Sequence, residues 1–242
     1  NLLPMLRTLI CPNNSLTSLD VSGNTMLKYL DCQGNNLTSL NLSNNTLLES
    51  LYCQDNKLTS LNVTANTQLL TLNCSNNQLS SLSVSANTKL GDLKCEGNKL
   101  TALPTGLNKT KVQWLYAGGN QFTELNLATT GSTAYLPYLT TLDLENCTKL
   151  TSLIFNIYSD DGQVGKMSIL NVTGCTELTV LRVDGHKLTS LYTSTNTKLG
   201  SLTCSDNLLT TTGLSLTNNT ALKTLNCSGN LMTGVIVTQL TQ

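Results

Sequence analysis

Residues 30–50 read LDCQGNNLTSLNLSNNTLLES, and residues 51–71 read LYCQDNKLTSLNVTANTQLLT. They align without a gap on a frame of 21 residues, and the frame holds upstream over 9–29 and downstream over 72–92. Cys11, Cys32, Cys53, Cys74 and Cys95 mark the period, and Cys204 and Cys227 bring it back near the C-terminus. Each unit divides into LxxLxCxxNx, the A half, and LTSLxVSxNTx, the B half.

Both halves alternate around their centre: Leu30 and Cys32 point in, Tyr29 and Asp31 out. Period-two alternation is the strand signal, and the Asn, Ser, Thr and Gly that follow break each strand into a turn. Two short strands and two turns cannot bury their own leucines, but copies stacked in register bury them in one column. The expectation is a right-handed solenoid with neighbouring turns ~4.8 Å apart, a parallel ladder on each face and almost no helix. One domain, 1–242, of about ten turns accounts for the length.

The pattern LxxLxCxxNxLTSLDVSxNT resembles the 21-residue class of bacterial leucine-rich repeats found in secreted and surface-attached proteins. The resemblance covers nearly the whole chain, degrading between about Ala102 and Gly185. It implies a leucine-rich repeat recognition protein, extracellular or on a cell surface, whose fold is a binding scaffold with varied partners. The chain begins and ends inside the repeat pattern, so it is expected to be an excised or processed piece, outside which a signal peptide, lipid anchor or further domain could lie.

Repeated positions have structural explanations. The Asn after the A strand recurs as Asn14, Asn35, Asn56, Asn77, Asn98, Asn120, Asn207 and Asn230, and a B series runs Asn24, Asn45, Asn66, Asn87, Asn196 and Asn219. A buried amide at a sharp turn can donate and accept to backbone groups that have lost their ladder partners. His186 falls on the A-series position, where a neutral imidazole can serve similarly. Seven of the nine cysteines occupy one A-half position that calls for a small apolar residue. Cys147 and Cys175 sit on the B-series Asn position. Thiolates in a straight column cannot converge tetrahedrally, so no metal site and no disulfide framework is expected.

Irregular stretches lie near 103–114, 128–141 and 154–169. LNLATT (125–130) and LDLENC (142–147) are both B-like, so an A strand is missing between them. Either the segment spans the A side as a loop or short helix, or the faces exchange roles. The first alternative is preferred, because it keeps Cys204 and Cys227 in line with Cys11 to Cys95. The third stretch, with Asp160 and Asp161 before Gly162, reads as a β-hairpin turn rather than a calcium loop.

The 14 basic and 14 acidic residues cancel, charged residues are only 12% of the chain, and histidine occurs once. A neutral chain lacks the electrostatic footprint of nucleic-acid binding, and no stretch reaches the ~18 apolar residues of a membrane span. No HExxH, GxSxG or P-loop motif is present. A carboxylate pair such as Asp92 with Glu96 leaves a hydrolase as a remote alternative, with no spacing that singles it out. A non-enzymatic, monomeric module without cofactors is expected.

The outward B residues are monotonous, Ser39, Asn41 and Ser43 being followed by Ser60, Asn62 and Thr64. The A face is varied and carries most of the few aromatics. Tyr29, Asp31, Tyr52, Lys94, Trp114, Tyr116, Ile154 and Arg182 are therefore the candidate contacts for a protein, peptide or glycan. Trp114 and Tyr116 are the expected centre. The alternative is a passive stalk presenting other domains, which predicts no patch on either face.

Overall fold

The computed structural model describes residues 3–127, 136–157 and 165–234. Its internal contacts group the chain into two units, Asn1–Ala117 and Gly118–Gln242.

In the first unit the A halves form β1 (Thr8–Ile10), β2 (Tyr29–Asp31), β3 (Ser50–Tyr52), β4 (Thr71–Asn73), β5 (Asp92–Lys94) and β6 (Trp114–Tyr116). They pair parallel in chain order, placing Leu9, Leu30, Leu51, Leu72, Leu93 and Leu115 in one row. From Leu30 onward this row is buried, as are Cys32, Cys53, Cys74 and Cys95 behind it. All nine cysteines are free thiols, with only Cys11 and Cys227 partly exposed.

The B halves keep the expected alternation of burial, with Leu40, Leu42, Leu61 and Val63 inside. In this unit their only bridge among the described residues is Ser83 with Thr105. On that side Ser22, Ser43 and Thr64 donate their N–H groups to the side chains of Asp20, Asn41 and Asn62, a local turn bond also made beside the paired strands β2 and β4 by Gln33 and Ser75. The irregular stretch 103–114 holds a single 3₁₀ turn, Leu107–Lys109, outside the segment where helix was expected. It keeps Leu107 in the core and puts buried Thr110 at the position of the B-series Asn.

The corner before each A-series Asn is left-handed. Gly34 and Gly97 alternate there with Asn13, Asp55 and Asn76, all at positive φ. Among non-glycine residues, Asn and Asp bear that conformation best.

The second unit contains β7 (Glu124–Asn126), β8 (Thr141–Asp143), β9 (Ser152–Ile154), β10 (Ile169–Asn171), β11 (Val180–Arg182), β12 (Leu191–Tyr192), β13 (Ser201–Thr203), β14 (Leu214–Ser215) and β15 (Thr224–Asn226). The odd-numbered strands form a parallel sheet in the order β7-β9-β11-β13-β15. The even-numbered strands pair β8 with β10 and β12 with β14, also parallel. Successive strands thus alternate sides, and this unit carries ladders on both.

That order corrects the preferred reading of 128–141. β7 is a B half, yet its sheet neighbours β9, β11, β13 and β15 are A halves, with Leu125 level with Leu153 and Leu181. The B-like halves β7 and β8 lie in different sheets of this unit, so the two faces exchange roles after β7. Exchange is tolerated because both kinds of half bury an equivalent pair, a Leu and, two residues later, most often a Cys, Val or Leu. The pairs β7 with β9, β9 with β11 and β8 with β10 are offset by 28 residues, as Leu125 is from Leu153 and Leu142 from Leu170. Cys204 and Cys227 follow the odd-numbered strands β13 and β15 of this unit. Their column begins at Leu127 and passes Phe155 and Val183, as the rungs Leu127 N–H to Ile154 O and Phe155 N–H to Arg182 O require. The hairpin turn with Asp160 and Asp161, and most of the possible helix or loop at 128–141, lie outside the described residues.

Candidate recognition surface

The asparagine columns do the structural work assigned to them. Asn56 Nδ2 donates to the carbonyls of Cys32, Cys53 and Gln54, and its Oδ1 accepts the Leu37 N–H at 3.0 Å. Asn35, Asn77 and Asn98 repeat this set. The B series does less: Asn66 Nδ2 donates to Leu42 O and Asn45 O, but its Oδ1 is buried without a partner, as in Asn45, Asn87 and Asn196. In the second unit Cys175 fills a B-series place, its Sγ 3.2 Å from Leu144 O.

His186 is buried, its Nε2 donating to Phe155 O at 2.7 Å while its ring meets Phe155 edge-on at 4.7 Å. Burial lowers its pKa, which keeps the ring neutral. Burial likewise pushes the thiols of Cys32, Cys74, Cys175 and Cys204 up to about 12. Neither group is placed to act as a base or a nucleophile. Among the described residues no cluster of three or more His, Cys, Asp or Glu could hold a metal ion.

The outer face of β1–β6 is different. Register sets Thr8, Tyr29, Ser50, Thr71, Asp92 and Trp114 in one row, and Ile10, Asp31, Tyr52, Asn73, Lys94 and Tyr116 in the next. Six of the eight candidate residues therefore share one sheet. Tyr29 and Tyr52 lean together with ring centroids 5.5 Å apart. Lys94 Nζ lies 4.9 Å above the Tyr116 ring. Trp114 is 43% exposed. Between the two aromatic groups the strand β4 offers only Thr71 and Asn73, so the face dips there.

Electrostatics sharpen this picture. Burial raises the pKa of Asp92, opposed by the charge of Lys94. Burial also raises that of Tyr52, with smaller contributions from Tyr29, Asp92 and Asp31.

Two expectations about the site change. Asp31 is buried rather than presented, because the backbone and side-chain amides of Gln33 both bond to its carboxylate. Ile154 and Arg182 are level neighbours on β9 and β11, in the second unit. Both lie on the sheet of β7, β9, β11, β13 and β15 and not among β1–β6. Sequence reading also missed a third row just beyond the strands, where Gln54 bonds to Gln33 and Ser75 to Glu96. The same 21-residue alignment contains it, at the position after each cysteine.

The sequence matches no protein-family model and no curated protein. Solved structures are similar over almost the whole chain. The functional domain of InlJ from Listeria monocytogenes, which includes a cysteine ladder, is 30% identical with a TM-score of 0.59, over 99% of this chain and 52% of that one. The leucine-rich effector YopM from Yersinia pestis is 23% identical at a TM-score of 0.53, over 96% and 57%. The leucine-rich repeat domain of APL1B is 21% identical at 0.52, over 95% and 69%. These last two show the fold alone, and the chain spans about half the length of the InlJ structure. Repeat, parallel ladders and likeness agree: the chain has a leucine-rich repeat fold, similar to that of the bacterial leucine-rich repeat proteins InlJ and YopM.

Proposed function

We propose that the protein is a non-enzymatic recognition module, extracellular or on a cell surface, that binds a macromolecular partner through the outer face of β1–β6. One observation carries the reading: Tyr29, Tyr52, Trp114 and Tyr116 stand outward on a single sheet of a chain that has only ten aromatic residues. Exposed aromatics beside charges have the composition of binding hot spots. The outward B positions of the same unit, Ser39, Asn41, Ser60 and Asn62, offer only solubility.

Buried thiols and a buried, neutral His186 support the non-enzymatic part. The extracellular setting is supported by the resemblance of the repeat to secreted and surface-attached proteins. No helix among the described residues is long and apolar enough to cross a membrane. Protein and glycan arrays probed with the wild type and Trp114→Ala test the proposal. A partner retained by the wild type and lost by the variant is expected. Partners held equally by both would refute the choice of face.

A further inference from the structure

Register makes a square of four side chains at the β5–β6 side of this face, Asp92 level with Trp114 and Lys94 level with Tyr116. Adjacent strands are ~4.8 Å apart and alternate residues ~6.6 Å along a strand, so the four enclose a patch about the size of one side chain. One row of the square is already used, because Lys94 rests over Tyr116. The other row is not. Asp92 Oδ1 is out of contact with solvent and has no hydrogen-bond partner, and the indole of Trp114 beside it is exposed.

A desolvated carboxylate oxygen next to an open aromatic face calls for one chemistry, a flat cation that donates along its edge and stacks through its plane. From the register and the unpartnered Asp92 oxygen, we infer that this patch binds an arginine side chain of a protein or peptide partner, the half-buried Asp92 carboxyl turning outward to accept from the guanidinium, which stacks on Trp114. The inference rests on the β1–β6 face being the binding face and names what that face reads.

Guanidinium fits better than ammonium because it is planar, holds its donors in a fork and stacks on indole. The desolvation that raises the Asp92 pKa is relieved when such a donor arrives. Lys94 sets the position: its charge, held over Tyr116, repels a second cation from that row and leaves the row of Asp92 and Trp114. Thr71, level with Asp92 on the other side, is small enough to leave the approach open.

Trp114 is the sole tryptophan of the chain, so intrinsic fluorescence reports this patch directly. The intact chain is titrated with acetyl-Gly-Arg-Gly-amide, with the citrulline analogue, which keeps the shape and loses the charge, and with the Glu analogue. The arginine peptide should give a saturable change, with the citrulline peptide at least tenfold weaker and the Glu peptide silent. Asp92→Asn should reduce the arginine response to the citrulline level while circular dichroism stays unchanged. Lys94→Gln, which removes the repelling charge, should strengthen arginine binding. Equal responses to arginine and citrulline, indifference to Asp92→Asn, or no saturation by the arginine peptide would each overturn the inference. A glycan or acidic peptide that saturates the Trp114 signal would overturn it while leaving the face assignment standing. Array partners indifferent to Trp114→Ala would remove the face assignment itself.

Discussion

Replacing Asn56 and Asn66 by Ala separates the two asparagine columns. Both side chains are buried, but their bonds differ in what they leave behind. The three carbonyls served by Asn56 keep another donor each, Asn35 on Cys32 O, Asn77 on Cys53 O and the Gly34 N–H on Gln54 O. The Leu37 N–H has no such reserve, since Asn56 Oδ1 is its partner at the buried turn. Stranding it costs about 1–3 kcal/mol, and the lost donations and the cavity add to that, giving roughly 3 kcal/mol for Asn56→Ala. The carbonyls served by Asn66 also keep partners, the N–H groups of Asn45 and Leu48. Its own Oδ1 is already unsatisfied, so its removal recovers part of the loss. Asn66→Ala should therefore cost only about 1 kcal/mol. Urea unfolding followed by circular dichroism and by Trp114 fluorescence gives both values. A cost for Asn66→Ala equal to or above that of Asn56→Ala would refute the reasoning.

Further outcomes follow from the columns and corners. Cys53→Ser should destabilise by about 1–3 kcal/mol, because a hydroxyl enters a column with few partners; an unchanged urea midpoint would contradict the packing role. Thiol titration of the native protein at pH 8 should show fast reaction at the partly exposed Cys11 and Cys227 only, and fast labelling of Cys53 or Cys74 would contradict their burial. Folding lowers the pKa of His186, so the stability tied to its neutral ring is full above about pH 6.5 and is lost as pH falls through the folded value. His186→Asn should abolish that acid sensitivity in pH-dependent unfolding, and an unchanged slope would point to another group. Gly34→Ala should cost about 1 kcal/mol, since Gly34 is left-handed and an added Cβ would press against Asn13 Oδ1. Gly34→Asn should cost less, and thermal melts showing the opposite order would remove the left-handed corner as its explanation.

Much of this was legible in the sequence because every turn must bury the same Leu and the residue two places on. The strands, the buried cysteines and the asparagine turns all follow from that repeat. The exchange of sides at β7 was not legible, because A and B halves bury equivalent pairs and the chain can lay either on either ladder. That the first-unit B halves form a single bridge among the described residues, Ser83 with Thr105, was not legible either, because their burial alternates just as that of a paired strand does. The left-handed corner was readable in retrospect from Asn13, Gly34, Asp55, Asn76 and Gly97, all residues that accept positive φ. At the candidate site, the exposure of Trp114 and the grouping of Tyr29 with Tyr52 were foreseeable from the outward positions. Burial of Asp31 was not, because it depends on Gln33 folding back over the strand.

The most direct test of recognition through β1–β6 is the dissociation constant of an array-identified partner for wild type, Trp114→Ala and Ser60→Ala, measured by calorimetry. Trp114→Ala should weaken binding by at least ~2 kcal/mol, about thirtyfold, with the unfolding midpoint unchanged, while Ser60→Ala should shift it by less than ~0.5 kcal/mol. Binding abolished by Ser60→Ala and untouched by Trp114→Ala would contradict the account.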